Sequence, residues 1–141
     1  MRNSVLGILA LLLVAAQFVP LDRTNPRVES DVAAPESVAW ILRKACYDCH
    51  SHETRWPWYA YVAPVSFLVH HDVVEAREHM NFSRWGSYDA AQRNDLFEEI
   101  AEEVREREMP LQIYLSLHAE ARLTNDERRI LTDWADSQRS E

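Results

Sequence analysis

The chain has 141 residues, enough for one small domain, and its 23 acidic and 15 basic side chains give a formal net charge of −8. Nucleic-acid binding needs clustered lysine and arginine, so this acidic balance argues against a nucleic-acid partner. The only glycines are Gly7 and Gly86, which excludes the glycine-rich loops that cradle nucleotide phosphates.

The N-terminus is an uncharged apolar run, residues 5–21, preceded by Arg2. A positive residue before an apolar stretch is the layout of a secretory signal, and about 17 apolar residues is the lower limit for a membrane-spanning helix. We therefore predict a hydrophobic helix within residues 1–21 that exports the chain and stays as its anchor, with Arg2 in the cytoplasm. The alternative is a signal peptide cut after Ala16, which leaves a soluble periplasmic protein.

Residues 22–34 show no helical periodicity and are predicted to be a linker. The first 23 residues contribute +1 to the total of −8, so the part after them carries −9. An acidic exported domain is compatible with a basic protein partner, because complementary charge speeds encounter.

Residues 35–138 are predicted to form an all-α domain of about four helices. Abundant Glu, Ala, Leu and Arg with little glycine favour helix, and no segment alternates for long with a strand's period of two. The first helix is predicted from Pro35 into the two cysteines, and the second from Pro64.

The third and fourth predicted helices have clear sequence boundaries. The third spans about residues 88–107 and ends before Met109, because Pro110 disfavours helix at the residue that precedes it. The fourth begins at Thr124 and Glu127, which have the spacing of a capping box.

The only cysteines are Cys46 and Cys49, and His50 follows directly. On a helical turn these positions share one face. C-x-x-C-H is the attachment signature of c-type haem, in which two thiols add across the vinyl groups and the imidazole ligates the iron. The motif predicts one haem c, covalently attached through Cys46 and Cys49, with His50 as an axial ligand.

Other chemistries can use two thiols at this spacing. A redox dithiol is expected near a βαβ pattern, which this sequence lacks. A zinc site would combine the cysteines with two of His52, His70 and His71, but zinc fingers space their histidines three to five residues apart and His70 and His71 are adjacent. A plain disulfide would close a very short loop and so remove little entropy from the unfolded chain.

Met109 is the predicted sixth ligand of the iron. It ends a helix, is followed by Pro110, and carries a soft thioether sulfur that suits haem iron and raises the reduction potential. The alternatives are His70, His71 or His79, or an open site.

Several blocks of the sequence resemble the bacterial haem-binding-domain family, whose members are small exported proteins with one C-x-x-C-H. The blocks are QFVPLDRTNP, CYDCHSHETRWPWYAYVAPVSFLV, HMNFSRW and MPLQIYLSLHAEARLTNDERRILTDWA, and the resemblance covers about residues 17–136. It implies a monohaem c-type module with the layout of class I cytochromes c, in which Cys46 and Cys49 hold the haem and His50 and Met109 ligate it.

Four further side chains are candidates for the haem pocket. Trp56, Trp58 and Tyr59 follow the motif closely and are expected to wall the haem, and Arg55 is expected to pair with a haem propionate. Ordinary core packing of the aromatics and an exposed charge at Arg55 explain the same residues equally well.

With His50 and Met109 on the iron, no position is left for a substrate, which favours one-electron transfer over catalysis. We therefore expect a monohaem c-type cytochrome, not an enzyme, that exchanges electrons with redox proteins at the outer face of the cytoplasmic membrane. The alternatives are a haem-based sensor or peroxidase-like module with a labile Met109, and an exported interaction module built on a disulfide without haem.

Overall fold

The computed structural model describes residues 2–139, and within them the chain forms seven α-helices and no β-strand. The helices are α1 (Arg2–Ala16), α2 (Glu36–Ala45), α3 (Tyr47–His50), α4 (Val65–His79), α5 (Ala90–Glu106), α6 (Gln112–Leu115) and α7 (Asn125–Gln138). Three short 3-10 turns, Trp58–Tyr61, Trp85–Ser87 and Ala119–Ala121, connect them. The predicted all-α class is confirmed.

The four helices predicted for the domain are α2, α4, α5 and α7. Local sequence signals set where they begin: Pro35 precedes α2, Pro64 precedes α4, and Thr124 caps α7 through the predicted capping box with Glu127. The start of α5 lies two residues later than predicted, because the side chain of Asp89 accepts a hydrogen bond from the Gln92 backbone and caps the helix there.

One prediction about the first domain helix is wrong. It does not continue through both cysteines: α2 ends at Ala45, and α3 starts again at Tyr47 as a single turn. Cys46 between them has φ −123°, outside the helical range, although its backbone N–H still donates to the Leu42 carbonyl at 2.8 Å. Because of this break, Cys49 and His50 belong to a separate helical turn and do not continue α2.

The predicted N-terminal hydrophobic helix is α1, and it is shorter than the apolar run. It ends at Ala16 instead of continuing to Leu21, since Pro20 lacks the N–H that a helix needs and disfavours helix just before it. None of its residues is buried against the rest of the protein. No helix among residues 2–139 is long and apolar enough to cross a lipid bilayer.

The predicted linker lies against the domain along much of its length. The backbone N–H groups of Glu29 and Ser30 both donate to the Ser83 carbonyl, at 2.9 and 3.1 Å. Arg77 on α4 donates to the Thr24 carbonyl and to the Asn25 side chain. Val32 is buried in the core. These contacts hold the predicted linker in place against the domain.

The hydrophobic core is formed where α5 and α7 pack together against α2. Leucine, isoleucine and valine side chains from these helices meet an aromatic row of Tyr47, Phe82, Trp85 and Phe97, whose neighbouring ring centroids are 5.0–5.8 Å apart. The row continues to Trp134 on α7, 5.3 Å from Phe97. It connects the C-x-x-C-H turn to the C-terminal helix.

Lys44 and Glu127 form a largely buried ion pair between α2 and α7, each side chain being 16% exposed. Burial raises the pKa of the Glu127 carboxyl, but hydrogen bonds from Lys44 and from the Thr124 backbone outweigh it and hold that pKa below its ordinary value. A lowered folded pKa means that this stabilisation is present above the unfolded value of about 4.3 and is lost as the pH falls through the folded one.

Glu127→Gln is expected to lower the free energy of unfolding at pH 7 by about 1.5–3 kcal/mol, because it leaves Lys44 without its charged partner. Glutamine can still accept from the Thr124 N–H, so the capping box is kept. The difference from wild type should shrink below about pH 4 in urea unfolding followed by circular dichroism. Glu98→Gln, which removes the exposed pair with Arg139, is the control and should cost less than about 1 kcal/mol. A loss of stability that is the same at pH 7 and below pH 4 would contradict the assignment of this stabilisation to the Lys44–Glu127 ion pair.

Candidate functional site

The C-x-x-C-H motif forms one tight turn at the start of α3. The backbone N–H groups of Cys49 and His50 both donate to the Cys46 carbonyl, at 3.1 and 2.9 Å. These two hydrogen bonds join residues at i, i+3 and i+4, the spacing from which the sequence analysis placed the three residues on one helical face. It holds the two thiols and the imidazole close together.

The imidazole of His50 is held in one tautomer. Its Nδ1 lies 3.2 Å from the Met80 carbonyl oxygen, and since a carbonyl can only accept, Nδ1 carries the proton and Nε2 keeps the lone pair that can bind a metal. Burial lowers the pKa of the His50 imidazole, against the opposing effect of the Met80 carbonyl. The Phe82 ring packs edge-on at 6.4 Å, and its backbone N–H donates to the His50 carbonyl at 2.8 Å. A neutral imidazole with a fixed Nδ1–H is the form that ligates a metal.

Cys46 and Cys49 are free thiols, not a disulfide, and both are partly buried. Burial raises the pKa of each thiol to about 12. Redox-active dithiols have a lowered thiol pKa, so this pair lacks the electrostatics of a thioredoxin-like centre.

Met109 lies on a loop that approaches the motif from the end of α5. Arg107 closes that helix in the left-handed conformation, with φ 68°, and the Met109 N–H donates back to the Glu103 carbonyl at 3.2 Å. On the other side, the Arg128 guanidinium of α7 donates to the carbonyls of Val104, at 2.8 Å, and Met109, at 3.4 Å. Hydrogen bonds to α5 and to α7 therefore fix the position of the Met109 backbone.

Two adjoining cavities, of about 330 and 420 Å³, separate the motif from this loop. The residues that line both are Ala45, Cys46, His50, His79, Met109 and Pro110. We refer to the two together as the His50–Met109 cleft. Its far wall is apolar and includes Leu42, Phe82, Ile100 and Val104, while Cys49 lines the second cavity. Each volume lies within the range of small-molecule and cofactor pockets.

The residues of the cleft fit a haem. Two thiols, a neutral imidazole with its Nε2 lone pair and a thioether are the donor set of a c-type site, and the cleft around them is lined by apolar side chains together with carboxylates such as Glu99 and Glu103. Cys46, Cys49, His50 and Met109, which were selected from the sequence, are thus brought to one cleft.

Arg55 is placed differently from the prediction. Its guanidinium makes a two-pronged contact with Asp48, at 3.1 and 2.9 Å, and its backbone N–H donates to the same carboxylate at 3.0 Å. Burial raises the pKa of the Asp48 carboxyl, yet these bonds and one from the Tyr114 hydroxyl outweigh that effect and hold the pKa below its usual range. The propionate role of Arg55 stays a prediction, and in this structure its partner is Asp48.

The three candidate aromatics are separated. Tyr59 lines a smaller groove next to the cleft and contacts the His118 Nε2 through its hydroxyl at 2.6 Å. Trp56 lines none of these three spaces, and its buried Nε1 has no hydrogen-bond partner. Trp58 is 77% exposed. The haem-pocket role of the two tryptophans stays a prediction.

The alternative histidines are less well placed than Met109. His79 lines the cleft, but its Nε2 contacts the Glu99 carboxylate at 2.8 Å. His70 and His71 line neither cavity, and His52 is bound to the Arg27 carbonyl at 3.0 Å. Across residues 2–139, no three His, Cys, Asp or Glu side chains are grouped closely enough to hold a metal ion, so the zinc set considered from the sequence is not assembled.

Phe82 supports the His50 side of the cleft and is fully buried, stacked between Tyr47 and Trp85. Phe82→Ala is expected to lower the free energy of unfolding by about 3–5 kcal/mol, because it leaves a cavity beside the C-x-x-C-H turn. Urea unfolding measures this. Trp58→Ala removes a larger but exposed ring and should change stability by less than about 0.5 kcal/mol. Equal losses in the two variants would contradict the packing described here.

Three features of the site were not predicted. The Met80 contact to His50 is made by a backbone carbonyl, which leaves no side-chain signal in the sequence. Asp48 sits inside the motif, seven residues before Arg55, and this opposite-charge pair could have been noticed. Tyr114 joins Asp48 from 66 residues away, and nothing local in the sequence marks it.

The all-helical fold and a cleft that gathers two thiols, an imidazole and a thioether define a small helical haem-binding protein. The model of the haem-binding domain family matches residues 11–137, and the chain therefore belongs to that family. The resemblance stated from the sequence blocks is confirmed. Searches of curated proteins and of solved structures gave no match.

Proposed function

We propose that this protein is a monohaem c-type cytochrome that carries single electrons between redox proteins outside the cytoplasm. The observation that carries the proposal is that His50 and Met109 line one cleft together with Cys46. Two axial donors leave no iron position for a substrate, and such a site suits electron transfer rather than catalysis.

Each residue of the cleft has a defined part in this proposal. Cys46 and Cys49 would hold the haem through thioether bonds, and His50 Nε2 and the Met109 sulfur would ligate its iron. The bound haem supplies an iron centre that changes by one electron.

Two features of the surrounding structure tune such a centre. The Met80 carbonyl keeps the proton on His50 Nδ1 and sets the orientation of the ring. Leu42, Phe82 and Val104 would limit the access of water to a bound haem, which would disfavour the more highly charged ferric state and raise the reduction potential.

The function is tested on full-length protein made in a host that matures c-type cytochromes. Its redox titration should be reversible and follow a one-electron curve, the ferrous form should not bind carbon monoxide at neutral pH, and peroxide should not be turned over. Rapid binding of carbon monoxide with peroxide turnover would overturn the proposal and favour the sensor or peroxidase-like alternative.

We also infer that the chain is exported and stays attached to the cytoplasmic membrane through its N-terminal segment. The supporting observation is that α1 is unburied, begins at the basic Arg2 and carries no other charge. A stretch of 7–15 apolar residues is sufficient for export, and the apolar residues after α1 extend it to the predicted anchor. The acidic domain would then meet its redox partners at the outer face of that membrane.

Carbonate-washed membranes are expected to retain the full-length chain, because the apolar segment stays in lipid when peripheral proteins are released. Protease added to spheroplasts should digest the domain, whereas a cytoplasmic marker should survive. Recovery of a soluble form beginning near Gln17 would show that the N-terminal segment is a cleaved signal peptide and not an anchor. Protection of the domain from the protease would contradict export.

A further inference from the structure

The segment that follows the C-x-x-C-H turn and runs into the first turns of α4 carries no charge over fourteen residues, WPWYAYVAPVSFLV, positions 56–69. In a chain that is 27% charged this is unusual.

Large apolar side chains from this segment are exposed, led by Trp58 at 77% and Tyr61 at 59%. They lie at i and i+3 of one 3-10 turn, where side chains project from the same face. Val62 and Val65 continue the exposed apolar surface. We call these four residues the Trp58 ledge.

The ledge is joined to the end of α1 by direct contacts. The Gln17 side chain donates to the Ala63 carbonyl at 3.2 Å and accepts from the Ala63 N–H at 3.0 Å. Arg23 donates to the Ala60 carbonyl at 2.7 Å, and its guanidinium lies 4.7 Å from the centre of the Tyr61 ring. The segment that directly follows α1 is therefore held against the ledge.

We propose that the Trp58 ledge lies in the interfacial layer of the same lipid bilayer that receives α1, and so fixes how the domain sits on the membrane. The inference rests on the proposed anchoring. Tryptophan and tyrosine prefer the headgroup level of a bilayer, where the ring is buried and its polar atom stays wet. Phe18, 81% exposed between α1 and the ledge, extends the same apolar surface.

Charge favours this face over the rest of the domain. The chain after residue 23 carries −9, which anionic headgroups repel. The ledge itself is neutral, and the cationic Arg23 contacts it at Tyr61. An acidic domain held close to a membrane is thus expected to turn its neutral, aromatic face toward the lipid.

The test measures whether each of three side-chain positions lies in lipid or in water. The protein is placed in vesicles of three parts phosphatidylcholine to one part phosphatidylglycerol. Tyr61 on the ledge, Leu9 in α1 and the exposed Glu102 on α5 are each replaced, in the full-length haem-loaded chain, by p-azidophenylalanine. A nitroxide is coupled to the azide, which leaves Cys46 and Cys49 untouched. Paramagnetic resonance then compares collisions with oxygen, which concentrates in lipid, and with a water-soluble nickel chelate.

The nitroxide at Tyr61 is expected to favour oxygen over the nickel chelate, as at Leu9, while the nitroxide at Glu102 favours the chelate. If Leu9 lies in lipid and Tyr61 in water, the anchoring stands and the ledge inference is overturned. If Tyr61 lies in lipid and Leu9 in water, the ledge is supported and the anchor fails. A Tyr61 nitroxide shielded from both reagents would place a protein on the ledge and overturn the lipid assignment.

Discussion

The double variant Cys46→Ala with Cys49→Ala is expected to carry no covalent haem, whereas the wild type gains the mass of one haem that acid-organic extraction does not remove. These are the only thiols of the chain, and the turn that holds them also places the neutral His50 imidazole in the same cleft. The loss should be complete, because no other side chain can form the thioether bonds. Intact-mass measurement of protein from a host that matures c-type cytochromes provides the readout.

His52→Gln serves as the control, since this neighbouring histidine is occupied by the Arg27 carbonyl and lies outside the cleft. It should keep the haem. If the double variant fails to accumulate, the wild type alone still tests covalent attachment. A colourless wild type from a competent host would show that the cysteines do not hold a haem, and so would a wild type whose haem is removed by the extraction.

Met109→Ala is expected to keep the haem attached and to lose the sixth ligand. The ferric wild type should show the weak far-red band of iron bound to methionine sulfur, and the variant should lose it. The ferrous variant should bind carbon monoxide readily. Its reduction potential should fall by an amount on the order of tenths of a volt, because a sulfur donor that favours ferrous iron is removed.

Met80→Leu is the matched control for this experiment. Met80 also lines the cleft, but its contact with His50 is made by the backbone carbonyl, which the substitution keeps. The far-red band should therefore persist, at a cost in stability of less than about 1.5 kcal/mol. If Met109→Ala changes neither the band nor carbon monoxide binding, the sixth ligand is elsewhere, and His79, which also lines the cleft, is the next residue to substitute.

Sequence reasoning succeeded where the controlling interactions are local. Pro64 and the Thr124 capping box act within one turn of the helices that they start, and the C-x-x-C-H spacing is itself one turn long. The start of α5 lies two residues later than the predicted one because Asp89 caps the helix.

The parts that the sequence did not predict depend on contacts between distant residues. Nothing near Arg55 indicates that Tyr114 shares one network with it and Asp48, or that His50 meets a carbonyl thirty residues later. The contacts that hold the linker against the domain could not be predicted, because its partners, Arg77 and Ser83, lie more than fifty residues away along the chain.

The attachment of the linker limits how far the domain can travel. A free chain of 13 residues would have ends separated by roughly 20 Å on average and would let the domain sweep a hemisphere of that size. Here Arg77 and Ser83 hold the segment at several points, and Gln17 ties the end of α1 to Ala63. Under the proposed anchoring, the domain would then meet its redox partners by diffusing in the plane of the membrane, with the cleft in one fixed orientation. The partners must therefore present their own redox centres at a matching height above the lipid.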